Sequence, residues 1–316
     1  MAYIFDTIFS VTFGYAVLRV TTPILFAALA ALISNRAGVI NISLEGTMLT
    51  AALAGVVASA FTGSAFLGLI AAILAGIFVA LILAYFSLNL KADIILTGIA
   101  LNLLASGGTV FLLYLITHDK GVSISLKSLM MPKVVLPLIH QIPFIGPIFS
   151  NHNVLTYVAL LAVIAIYIFL YKTPLGLRIR AVGENPGAVD SVGINVRRIQ
   201  YIALMISGFL AALGGAYMSM GYVSWFSRDM TSGRGFIALA AEAMGKGTPL
   251  GTLVASLIFG CADALSNSMQ ALRIPAEFVQ MLPYIATILG LTLYSMQQTK
   301  RQRKNRRENN EKAGDY

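Results

Sequence analysis

Long runs of uncharged, apolar residues recur along this chain, and no other feature constrains its fold so tightly. About 20 such residues let a helix cross the hydrocarbon of a bilayer. Stretches that meet or approach that length lie at 4–19, 20–34, 39–61, 64–87, 93–115, 153–171, 199–220, 235–247, 249–268 and 277–297. Ten spans predict an all-α polytopic membrane protein, because in lipid each helix satisfies its own backbone polar groups. Composition leads to the same class: of 316 residues 58% are hydrophobic and 11% charged, with a mean hydropathy of +0.81, whereas a soluble domain carries about 25% charged residues. The stretch 235–247 is broken by GKGTP and reads as a half-helix packed inside protein. The stretch 4–19, bracketed by Asp6 and Arg19, reads either as a span or as an interfacial helix.

Residues 172–198, KTPLGLRIRAVGENPGAVDSVGINVRR, form a polar segment between two strongly apolar stretches. Such a loop is where a membrane protein can meet a soluble partner. Lys172, Arg178, Arg180, Arg197 and Arg198 outnumber Glu184 and Asp190 and gather at the membrane edges, so the positive-inside bias places the loop in the cytoplasm. Its middle predicts a short helix. Pro186 suits the first turn, Asn185 the cap, Ala188 and Val189 the continuation and Gly193 the stop. An even number of spans puts both termini in the cytoplasm, with fifteen of the 22 Lys and Arg inside and seven outside.

The remaining segments follow from that frame. Residues 1–299 form one transmembrane domain without a removable signal peptide, and the basic tail 300–316 is a solvated anchor against anionic lipid. The net charge of +9 therefore reports membrane orientation, not nucleic-acid binding. The outward segment 116–152 is too apolar for a linker and is expected to cap the outer face. His118, His140 and His152 share no metal-ligand spacing, and the single Cys261 offers no disulfide. With no phosphate-binding fingerprint such as GxxxxGK[ST], the chain is expected to be no enzyme, to hydrolyse no ATP and to carry no cofactor.

An internal echo supplies a repeat. GVINISLEG at 38–46 aligns without gaps to GFIALAAEA at 235–243, matching Gly38 with Gly235, Ile40 with Ile237 and Glu45 with Glu242. Each copy follows an arginine, Arg36 or Arg234, and in the ten-span count the two enter from opposite sides, as an inverted-topology repeat requires. If both copies are helical, each glutamate lies about 10 Å along its axis, within the membrane. Asn41, Glu45, Asn102, Glu242 and Asp263 then have two readings, parts of a translocation pathway or hydrogen-bonding glue between helices. For the glutamates the second reading means accepting from a neighbouring helix start or pairing with Arg36 or Lys246. Gly107-Gly108 and Gly214-Gly215 offer surfaces for close helix crossing within the core, and Gly208 to Gly215 serve either there or at a seam with a second subunit.

Three motifs carry a family resemblance: ISNRAGVINISLEGTMLTAALAG at 33–55, LTGIALNLLASGG at 96–108 and GLRIRAVGENPGAVDSVGINVRRIQ at 176–200. Together they resemble the permeases of bacterial ABC importers in the branched-chain amino acid, ribose and nucleoside group. The likeness is greatest to the shorter permease of purine-nucleoside systems served by a basic-membrane-protein-type lipoprotein. It implies a type II importer fold in the bacterial plasma membrane, with ten helices in an inverted repeat. It also implies a cytoplasmic ATPase, a paralogous second permease and an external binding lipoprotein as partners. Glu184, Asn185, Pro186, Gly187, Ala188, Val189, Asp190, Ser191, Val192 and Gly193 would be the segment that docks on the ATPase. Ala188-Val189-Asp190 departs there from the Glu-Ala-Ala signature of the wider importer class. Cargo within the group stays open among nucleosides, simple sugars and branched-chain amino acids. A reading of another class is a proton-coupled transporter using Glu45, Glu242 or Asp263.

Overall fold

The computed structural model describes residues 10–119, 121–135, 145–269 and 292. The basic tail, His140, the residues before Ser10 and all but residue 292 of the predicted span 277–297 lie outside that set. The helices are α1 (Val11–Arg36), α2 (Leu44–Thr62), α3 (Ala65–Ala84), α4 (Ile94–Thr117), α5 (Ile145–Phe149), α6 (Val154–Lys172), α7 (Pro174–Glu184), α8 (Pro186–Ser191), α9 (Val196–Tyr217), α10 (Arg234–Met244) and α11 (Pro249–Met269). Tyr85–Asn89 and Met218–Tyr222 prolong α3 and α9 as π-helical turns. Among the described residues, α1, α2, α3, α4, α6, α9 and α11 are long and apolar enough to cross a membrane, while α10 is a half-helix. The protein is an all-α polytopic membrane protein. Ten spans are not all present among the described residues.

The first correction concerns the stretches 4–19 and 20–34. The chain does not turn between them; α1 is one helix that starts at its Ser10 cap, whose hydroxyl accepts from the Phe13 amide at 3.1 Å, and continues through Pro23. Proline removes one helical hydrogen bond, but every residue from Thr21 to Ser34 is buried, so packing on all sides holds the helix together. Thr22 Oγ1 donates to the Leu18 carbonyl at 2.8 Å just beside the gap. One crossing in place of two changes the parity. Tyr15 donates to the Asn151 carbonyl at 3.1 Å and stacks on His152, so Ser10 lies on the face of residues 145–153. The other end of α1 meets the opposite face, where Gly38 packs against Gly183 of α7. Among the described residues, Ser10 and the 172–195 face therefore lie on opposite sides. The cation bias survives, because no Lys or Arg precedes Arg19.

Direction alternates strictly. α1 descends from the 145–153 face to the 172–195 face, α2 rises, α3 descends and α4 rises; α9 rises, α10 descends and α11 rises. The triplet α9–α11 thus repeats α1–α3 upside down. Packing is crossed between halves: α1 lies against α10 and α11, α9 lies against α2 and α3, and α1 and α9 touch each other at the centre. Gly76 of α3 and Gly208 of α9 meet at such a crossing, where a Cβ on either would strike the other's backbone carbonyl or the facing Ala212 or Ala80. The outer helices expose large apolar side chains. Phe66, Leu74 and Phe78 of α3, Leu103 and Phe111 of α4 and Leu161 of α6 are all exposed.

The described part of the 116–152 segment closes the 145–153 face. Ser123 and Phe226 exchange backbone and side-chain bonds, the Leu129 amide donates to Ser59 Oγ at 3.0 Å, and Met131 donates to the Met220 carbonyl at 2.8 Å. β1 (Lys133–Val134) pairs antiparallel with β2 (His152–Asn153).

Candidate functional site

On the 172–195 face, local sequence dictates two short helices. Thr173 caps α7 by accepting the Gly176 amide at 3.1 Å, and Pro174 occupies its first turn. The sequence reading had only the second helix, α8. There Asn185 Oδ1 accepts from the Ala188 amide at 3.1 Å, Pro186 opens the turn and Gly193, with φ of 81°, ends it in a conformation suited to glycine. α7 is fastened to the membrane core. Ile179 and Val182 are buried, Gly176 abuts the Leu170 backbone, and Arg180 Nε donates to the Leu170 carbonyl at 3.0 Å. Its end touches the Arg36–Gly38 turn through Gly183.

α8 is attached by one side chain. Val189 is 6% exposed, whereas Glu184, Asn185, Pro186, Gly187, Ala188, Asp190, Ser191, Val192 and Gly193 all face outward, with Val192 at 71%. A recess of about 530 Å³ lies beside α8, lined by Leu88, Pro186, Gly187, Asp190 and Arg197 among others. α8 is thus a solvent-facing helix set beside a recess.

The five candidate residues Asn41, Glu45, Asn102, Glu242 and Asp263 are all partnered. Asn41 Nδ2 donates to Ser207 Oγ of α9 at 2.9 Å, while its Oδ1 accepts the Ser43 amide at 3.1 Å and the Ser43 hydroxyl at 2.8 Å. Asn102 of α4 accepts the Gly46 amide at 2.8 Å and donates to the Ile42 carbonyl at 2.9 Å, so it holds the start of α2. Glu45 accepts the Gly233 amide at 2.8 Å and the Gly235 amide at 2.6 Å with its two oxygens. It thereby caps α10, whose own N-cap residue, Gly233, has no side chain to do so. Glu242 receives both of its bonds from Asn35 Nδ2, at 3.0 and 3.1 Å, not from Arg36 or Lys246. Arg36 instead donates to the Gly247 carbonyl. Asp263 of α11 pairs with Arg234 at 2.8 Å, the side chains being 12% and 16% exposed.

The echo at Gly38 and Gly235 does not produce matching backbones. Residues 38–43 are non-helical and α2 starts only at Leu44, whereas Gly235–Ala243 lie within α10. Where the first copy has Asn41 and Ser43, the second has Ala238 and Ala240. The Asn41–Ser43 bonds fix a local turn, while alanine favours the helix. Glu45 therefore sits in the first turn of α2 and not seven residues along a helix. The two glutamates still correspond in another way, because each reaches the arginine-glycine junction or its flank in the other half.

The glycines divide cleanly. Gly214 and Gly215 pack against Pro23 and Met48, and Gly208 against α3, so all three are interior. Gly107 and Gly108 of α4, expected to pack in the core, have open space where a Cβ would stand. Sequence reasoning missed a cavity beside the start of α10, walled in part by Tyr222 and Trp225; its one visible signal was the chain's single tryptophan.

A protein-family profile described as branched-chain amino acid transport system / permease component matches residues 15–291. The guanosine ABC transporter permease protein NupQ of Bacillus subtilis is 40% identical over 290 residues, 88% of this chain and 90% of the relative. The nucleoside ABC transporter permease protein NupC of Lactococcus lactis subsp. cremoris is 36% identical over 286 residues, 87% and 89% of the two chains. The putative glucose ABC transporter permease protein TsgC13 of Haloferax volcanii is 35% identical over 266 residues, 83% and 79% of the two chains.

Proposed function

This chain belongs to the branched-chain amino acid transport system permease family, and on that premise we propose that it is the membrane-spanning subunit of an ATP-driven nucleoside importer. The observation that carries the cargo is the likeness to two permeases named for guanosine and nucleosides over nearly their whole length. An external binding lipoprotein delivers the ligand, a cytoplasmic ATPase supplies the energy, and this chain performs no covalent chemistry. α8 with its flanks, Glu184–Gly193, is the part that docks on the ATPase; the 172–195 face is then cytoplasmic, in agreement with its cations. Ser10, on the opposite face, is then external. Closure of the ATPase would push α8 and α7 as one piece, and the Gly183–Gly38 contact would pass the displacement to the turn between α1 and α2.

A second permease completes the pathway. The α4 face bearing Gly107, Gly108, Leu103 and Phe111 has no partner within the described chain, and we assign it to a paralogue rather than to a second copy. Import of simple sugars is the second reading, favoured by the glucose permease relative. Two experiments test the assignment. Cysteines at Ala188 or Asp190 should cross-link to the ATPase in the assembled complex; labelling of either by an impermeant maleimide from outside intact cells would remove the coupling role. The chain with its ATPase and lipoprotein should not import nucleosides until the paralogue is added. Full uptake by a homodimer would refute the pairing.

A further inference from the structure

Between the π turn Met218–Tyr222 and α10, the chain runs non-helically through 223–233, with Asp229 and Ser232 at positive φ of 49° and 47°. Non-helical backbone beside membrane helices persists where it is buried in protein or lines a cavity, and π turns often mark functional sites. Here a cavity of about 250 Å³ opens, lined by Pro23, Tyr222, Trp225, Ser227, Met230 and Arg234 among others. Trp225 is 41% exposed and is the only tryptophan of the chain. The Arg19 guanidinium lies 3.8 Å from the centre of the Tyr222 ring. Ser106 of α4 donates to Asp229 at 2.7 Å and steadies the loop.

Two guanidinium groups stand near the cavity: Arg234 is paired with Asp263, and Arg19 lies over the Tyr222 ring. Glu45 occupies the Gly233 and Gly235 amides at the start of α10, the one helix N-terminus here that could have received an anion. What is left is an aromatic and thioether wall with a serine hydroxyl and a guanidinium at its edge, a lining suited to a flat, uncharged ring bearing polar edge atoms. Resting on the importer assignment above, we propose that this cavity is a cargo site on the external half of the pathway. It takes the base of a neutral nucleoside stacked on Trp225.

The single tryptophan makes the test direct. The assembled importer in nanodiscs is titrated with guanosine and with glucose, and the Trp225 signal is taken as the fluorescence difference between wild type and Trp225→Phe. Saturable quenching by guanosine alone is expected. In uptake assays Trp225→Ala should raise the KM for guanosine roughly tenfold, as loss of one base–aromatic stack does, while Trp225→Phe stays within about threefold. No change in either assay, with guanosine still imported, overturns the site and leaves the importer assignment standing. Quenching by glucose with transport of glucose overturns the nucleoside reading itself. If Trp225→Ala fails to assemble, the wild-type titration decides alone.

Discussion

The two halves of the molecule use the same order of elements in opposite directions, yet they are fastened differently. In the first half, the start of α2 is gripped from its own half by Asn102, while the Asn41–Ser43 turn that leads into it is tied across to Ser207 of α9. In the second half, α10 is about half a membrane long, starts at an uncapped glycine and draws its N-terminal bonds from Glu45 of the other half. Both lead helices carry their own cap, Asn195 for α9 accepting from the Arg198 amide at 2.9 Å and Ser10 for α1, but α1 adds Tyr15 contacts with Asn151 and His152. The first half is thus the frame, and α10 is the dependent element, anchored at both ends by residues of that frame.

The sharpest way to break this comparison is to remove one glutamate at a time. Glu45→Ala strands two amides at the start of α10, and with about 1–3 kcal/mol for each buried donor left unmade it is expected to cost about 2–6 kcal/mol. The readouts are the yield of monodisperse protein and its Tm in detergent. If Glu45→Ala and Glu242→Ala lower Tm equally, α10 is not held chiefly from its N-terminal end and the asymmetry is lost.

Next in size is the helix crossing that joins α9 to the frame. Gly208→Leu drives a side chain into the Gly76 backbone and Ala80, and overpacking of this kind costs about 1–3 kcal/mol. Gly108→Ala, on the open face of α4, is expected to leave the Tm of the isolated chain unchanged or slightly raised. A drop in transport for Gly108→Ala, with no drop in Tm, would mark that face as a subunit contact; a drop in Tm would show it packed within the chain.

What the sequence makes legible follows from how local the deciding forces are. Asn185, Pro186 and Gly193 specify α8 through bonds within a few residues, and the structure has that helix where the residues predict it. The apolar runs likewise announce their helices, since hydrocarbon leaves the backbone no alternative. The division at residues 19 and 20 is different. Arg19 and Pro23 look like a boundary in one dimension, but burial from Thr21 to Ser34 carries the helix through, and burial is set by α9, α10 and α11 from far along the chain. The glutamates show the same limit. Their positions in the echo are visible, but which amides they accept depends on the crossed packing of the halves. Tyr222 and Trp225 face one cavity only because 223–233 stays unwound, and no residue pattern there announces it.

A smaller effect sharpens the comparison from the other end of α10. Glu242→Gln keeps a carbonyl that can accept from Asn35, so its cost is expected to stay within about 1 kcal/mol. Asn35→Leu, which leaves the Glu242 carboxylate without either bond, should cost more than Glu242→Gln. Tm measured on both variants decides. If Glu242→Gln is instead as damaging as Glu45→Ala, the negative charge itself is required at both ends of α10, and the two halves are fastened alike.

The smallest effect concerns how α1 begins. His152 is buried against Tyr15, with ring centres 4.1 Å apart, and its Nε2–H donates to the Ile148 carbonyl at 2.7 Å. Burial lowers its pKa from the ordinary 6.5; the Ile148 bond works against that shift, and nearby Arg19 adds to it. Folding therefore favours the neutral ring, and near and below pH 6.5 the unfolded chain binds the extra proton. The contribution is fully present above the ordinary pKa and is lost as pH falls from there toward the folded value. Wild type should lose Tm between about pH 7 and about pH 5.5 relative to His152→Phe, which keeps the stacked ring and cannot titrate. Parallel curves for the two proteins would mean that α1 is not steadied by the Tyr15–His152 stack. Its start would then be as self-sufficient as that of α9.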